Sequence, residues 1–164
     1  MKTLVVYYSK SGNTRRIAEE IQKALGADTE ELVEIGTKRS GFFGFLFAGR
    51  DAMTGRPSKI ESAKKRPTDY DLVFVGSPVW GWNLVPAVRS YLTAADLKGR
   101  PVAFFCTMGS SGDAKTLASM RELAPGSILR GELAVPQAEL KSPDALAKRV
   151  GGWAQEMAAK AGAK

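Results

Sequence analysis

The chain is 164 residues long, carries 24 Lys or Arg against 17 Asp or Glu for a formal net charge of +7, and contains one cysteine and no histidine. That length leads us to expect one domain, spanning 1–164. The missing histidine removes Ser–His and Cys–His hydrolases, and with only Cys106 a zinc centre is not expected either.

No side chain is therefore assigned as a catalytic acid, base or metal ligand, and any chemistry is expected to come from a cofactor. A lone cysteine precludes an internal disulfide and fits a reducing, cytoplasmic compartment. The N-terminal run lacks the pattern of a signal peptide, and no apolar run approaches the ~20 residues of a membrane span. The basic balance favours anionic partners. No RRM, zinc-finger or basic-helix pattern is present, so nucleic acid is not expected among them.

The first predicted strand is the apolar run 3–8. It leads into Ser9, Lys10, Ser11, Gly12, Asn13 and Thr14, after which Ile17, Ala18, Ile21, Ala24 and Leu25 repeat at helical spacing. This is a strand, a hydroxyl-rich turn and a helix start. The free N–H groups there carry partial positive charge, so the turn suits a phosphate. It lacks the GxxxxGK pattern of a P-loop and the GxGxxG of a dinucleotide fold.

Residues 32–35 read as a second, edge strand. A long crossover, 36–69, follows and holds Phe42, Phe43, Phe45 and Phe47, four of the seven phenylalanines. A helix covering the sheet is the plain reading of this segment. Because its apolar residues do not keep to one face, a lid over a ligand or a docking surface is the alternative. With Lys38, Arg39, Arg50 and Arg56 flanking it, that surface would suit an anionic membrane or an acidic protein.

The apolar runs 71–76 and 101–106 read as strands covered on both faces, and 128–135 as a weaker fifth. Pro86 suits a helix N1 position, Asp113 a cap, and Ser142-Pro143-Asp144 a last helix whose Trp153 anchors on the sheet. Alternating strands and helices imply a doubly wound α/β fold, in which ligands bind beyond the carboxyl ends of the strands. Three loops lie there: Ser9 to Thr14; Ser77, Pro78, Val79, Trp80, Gly81, Trp82 and Asn83; and Thr107, Met108, Gly109, Ser110, Ser111 and Gly112. A tryptophan in the second loop can stack on a planar ligand, and the small residues of the third let backbone run along its edge. A phosphate and a planar heteroaromatic ring fit this edge, and FMN has both.

On these residues the chain resembles the flavodoxin family over nearly its full length. Flavodoxins carry a first loop of pattern S/T-x-S/T-G-x-S/T, which Ser9 to Thr14 match. The resemblance implies a five-stranded parallel sheet of order 2-1-3-4-5 with helices on both faces, and FMN as cofactor. Ser9, Ser11, Asn13 and Thr14 would then hold its phosphate, with main-chain help from Lys10 and Gly12, and the other two loops would hold the ring. It implies an electron-transfer protein working between a reductase and an acceptor. An FMN-dependent NAD(P)H:quinone-type oxidoreductase is the alternative, and a non-flavin regulatory module on the same fold a third. Two features depart from the family pattern: the third loop offers Met108 where flavodoxins usually place an aromatic, and the chain is basic where well-known flavodoxins are acidic. Basic surroundings would stabilise the anionic reduced flavin and raise the potential of the second electron.

Overall fold

The computed structural model describes residues 1–36 and 50–163. The strands are β1 (Thr3–Tyr7), β2 (Asp28–Glu31), β3 (Leu72–Trp80), β4 (Asn83–Leu84), β5 (Pro101–Met108) and β6 (Ile128–Pro136). The helices are α1 (Asn13–Leu25), α2 (Pro86–Ala94), α3 (Asp113–Glu122) and α4 (Pro143–Gly162), with a further helical stretch at 50–53. The phenylalanine cluster from Phe42 to Phe47, with Lys38 and Arg39, lies outside the described residues.

Five strands run parallel in the order β2-β1-β3-β5-β6, which is the expected 2-1-3-4-5. The sixth, β4, is a two-residue antiparallel partner of β3 that the sequence did not suggest. Each face of the sheet has its own core. Val5, Tyr7, Phe74, Phe105 and Val135 pack under α1 and α4 through Ile17, Ile21, Leu146, Val150 and Met157. Leu4, Val6, Val73, Val75, Phe104 and Cys106 pack under α2 and α3 through Val88, Tyr91, Leu117 and Met120. Alternate residues of continuously apolar strands thus supply both faces. Trp153 meets Phe74 edge to face, ring centroids 5.3 Å apart, as an anchor on the sheet should.

Three expectations need correction. The edge strand is Asp28–Glu31, not 32–35. Its Asp-Thr-Glu-Glu sequence has no apolar signal because main-chain pairing with Leu4 to Tyr7 holds it, aided by side-chain bonds from Tyr7 to Glu31 and Tyr70 to Asp28. Of the run that looked like a strand, Leu32 enters the core, whereas Val33 and Ile35 are 47% and 51% exposed. Second, β3 continues through Ser77 to Trp80, so half of the expected second loop is strand. Third, Asp113 is the first residue of α3; the capping position belongs to Gly112, whose φ of 97° suits glycine.

Gly76 is the tightest point of the sheet. It pairs with Tyr7 on one side and Phe105 on the other, and a Cβ there would lie 2.1 Å from the Phe105 ring. We therefore expect Gly76→Ala to lower stability by about 2–3 kcal/mol in urea unfolding, the cost of overpacking a dense core. Adding Phe105→Leu should recover part of that loss.

Candidate functional site

The carboxyl ends of β1, β3, β5 and β6 converge on a cavity of ≈ 550 Å³. Its walls bring together residues of all three loops: Ser11 and Asn13; Pro78, Val79, Trp80 and Gly81; Thr107, Met108 and Gly109. Arg50, Met53 and Gln137 complete it. Sequence reasoning did not assign these last three to a site. Gln137 directly follows β6, whose end opens on the same edge, so the rule that led to the other loops would have found it. Arg50 and Met53 lie midway along the long crossover, and only the folded chain shows that they reach the pocket.

At one end the cavity meets the start of α1. Gly12 occupies the capping position with φ 90° and brings no capping side chain, and the first turn of the helix has no carboxylate. The Asn13 and Thr14 main-chain amides of α1 and the helix dipole are thus open to an anion, beside the Ser11 hydroxyl and the Asn13 side-chain amide. Thr14 is turned inward instead. Its hydroxyl is 2.8 Å from that of Thr107, both buried, and this bond ties the first loop to the third. Ser9 Oγ accepts from the Arg15 N–H at 3.2 Å and braces the turn from within.

Trp80 supplies a flat wall of the same cavity. Tyr8 meets it edge-on with ring centroids 5.6 Å apart, and the Lys10 ammonium lies 5.6 Å from its centroid. Both contacts hold the indole in place. The chain then reverses through Gly81 and Trp82, at φ 54° and 57°, with Asn83 paired back to Trp80. Two consecutive positive φ values are what a tight two-residue hairpin requires. Trp82 is 60% exposed at its tip and does not line the cavity, so of the two tryptophans only Trp80 can stack there.

Ser77 and Asn83 are buried and committed to the hairpin. The Ser77 hydroxyl donates to the Pro78 carbonyl and accepts from the Val85 N–H, and Asn83 Oδ1 accepts from the Leu84 N–H. Neither lines the cavity, and neither do Ser9, Lys10, Gly12, Thr14, Ser110 or Gly112. Gly112 serves by lacking a side chain: a Cβ there would meet Val79 Cγ1 at 2.7 Å and Trp82 Cα at 3.0 Å.

Open helix amides, small polar groups and a flat aromatic wall meet in one cavity at the carboxyl edge of a doubly wound α/β fold, an arrangement whose chemistry suits a phosphate-bearing planar ligand. A family model described as Flavodoxin matches residues 48–147, and the chain belongs to the flavodoxin family. Among solved structures, a flavoprotein in complex with FMN from Lactobacillus acidophilus NCFM is 26% identical, with a TM-score of 0.71 over 87% of this chain and 98% of that one. A flavoprotein of Bacteroides eggerthii (21% identity, TM-score 0.75, 96% and 98% covered) shares the fold. So does oxidised Flavodoxin 2 from Bacillus cereus (20%, 0.60, 98% and 99%). No curated protein matches the chain. No helix among the described residues is long and apolar enough to cross a membrane.

Replacing Thr14 or Thr107 by Val should each cost about 1–3 kcal/mol, because the surviving hydroxyl is left buried without a partner. The double variant should cost less than the sum, and a double-mutant cycle by urea unfolding measures the difference. Cys106 closes β5 in the core, where burial, then the charges of Asp113 and Glu132, push its thiol up to about 12. Below that pH it stays protonated, so at pH 8 a thiol reagent should modify it only in denaturant.

Proposed function

We propose that this chain binds FMN in the cavity at the carboxyl edge of its sheet and passes electrons between a reductase and an acceptor protein. The observation that carries this reading is the meeting, in one cavity, of Ser11 and Asn13 at the start of α1 with Trp80 and Met108. The residues fit the cofactor. The α1 amides, Ser11 and Asn13 would hold the phosphate, and Pro78, Val79, Trp80 and Met108 would take the ring. Gly81 and Gly109 would let the main chain approach the ring edge. The FMN complex of the Lactobacillus acidophilus flavoprotein, which shares the fold at 26% identity, supports this reading.

Bound FMN would supply the electron-accepting and electron-donating chemistry, and the protein supplies orientation, stacking and electrostatics. The net charge of +7 favours acidic partner proteins, and the single buried cysteine favours a reducing cytoplasm. A second reading, an FMN oxidoreductase acting on a quinone-like molecule, is favoured by one feature. Among the described residues the cavity has a single aromatic wall, Trp80, with Met53 and Met108 as its other large apolar groups.

Anaerobic, stepwise reduction of the FMN-reconstituted protein, followed by visible absorbance, tests the proposal. A long-wavelength band at half reduction is the expected outcome for a one-electron carrier. Direct bleaching with rapid oxidation of NAD(P)H would favour the second reading, and failure to take up FMN would overturn both.

A further inference from the structure

Among the described residues that line the cavity, Arg50 is the only charged one. It is exposed and makes no ion pair or side-chain hydrogen bond among the described residues. Other cations nearby are occupied. Arg15 bridges Glu31 at 2.7 Å, Arg16 donates to the Leu140 carbonyl, and Lys10 lies against the face of Trp80.

The turn that Arg50 opens is tied to the hairpin side of the molecule. The Thr54 N–H donates to the Arg50 carbonyl at 2.9 Å, closing a helical turn. Directly after that turn, a Cβ on Gly55 would lie 3.6 Å from Arg89 Cζ, and Arg89 in turn donates to Asn83 of the hairpin. The turn that follows Arg50 is therefore held close to Arg89 and, through it, to the β3–β4 hairpin that carries Trp80. The phosphate end has its own partners in the α1 amides, Ser11 and Asn13.

We infer that Arg50 is the residue that stabilises the negative charge of the fully reduced flavin ring and so raises the potential of the second electron. The inference rests on the FMN reading above. Full reduction adds two electrons from a reductase and one proton at N5; with N1 unprotonated, the ring keeps one negative charge. A guanidinium beside it favours that form over the neutral oxidised ring.

The test is potentiometric titration of FMN-loaded wild type, Arg50→Gln, Arg50→Lys and Arg56→Gln, with affinities of the oxidised proteins for FMN and riboflavin. Arg56 is exposed, does not line the cavity and controls for loss of net charge. Arg50→Gln should weaken binding of the fully reduced cofactor on the order of tenfold relative to the half-reduced one, which is about 59 mV in the second one-electron step. Arg50→Lys should retain most of the wild-type potential, and Arg56→Gln should leave it unchanged. Equal shifts in Arg50→Gln and Arg56→Gln, or no shift in either, would overturn the inference. A loss of FMN affinity without loss of riboflavin affinity and without a change in potential would also overturn it, assigning Arg50 to the phosphate. Failure of the wild type to bind FMN would instead remove the reading beneath it.

Discussion

Gly76 carries no side chain where the Phe105 ring must lie, and this contact sets the level at which the central strands end. Tyr7, Gly76, Phe105 and Leu133 form one row across β1, β3, β5 and β6. Two residues further on, Pro78 stands opposite Thr107 and Thr107 opposite Val135; then come Val79, Trp80, Met108 and Gln137. The cavity walls are thus the first residues past a row whose register is locked by one aromatic ring over one glycine. In a parallel sheet, sliding a strand by a residue would exchange its two buried faces, so the site inherits the precision of the core.

The electrostatic character of the cavity is local. The net charge of +7 spreads over the molecule, and several of its 24 cations are paired with neighbouring carboxylates, as at Arg15–Glu31, Arg121–Glu132 and Arg149–Glu139. Exposed pairs of this kind contribute little to stability. They also leave few cations facing a ligand. In the cavity itself the start of α1 and one guanidinium meet no carboxylate among the described lining residues. Removing competing acids matters as much there as adding bases.

The first loop could be read directly from the chain. A buried strand, a run of small hydroxyl residues and a helical repeat follow one another without a gap, so local sequence and local structure coincide. The division of labour within that loop could not be read. Ser11 and Asn13 face the cavity while Thr14 turns inward to Thr107, a residue 93 positions away. The second loop misled in a similar way. Ser77 and Asn83 are polar and sit among ligand-edge residues, yet their side chains satisfy main-chain groups of a hairpin that the sequence alone does not disclose. Trp80 and Trp82 look equivalent in sequence. The tight reversal at Gly81 and Trp82 turns one ring to the cavity and leaves the other in solvent.

The parallel order was what the family resemblance implied; the sequence by itself determined the doubly wound class and the three loops at the carboxyl edge of the sheet. Those features follow from period, apolar runs and turn residues, which act over a few neighbours. Only the tertiary structure decided that Asp28–Glu31 is the edge strand, since a strand without an apolar pattern is held by main-chain bonds to its partner. Only the tertiary structure brought Arg50 and Met53 to the same cavity as Ser11 and Trp80. That meeting depends on where the crossover returns in space, and no short-range signal records that.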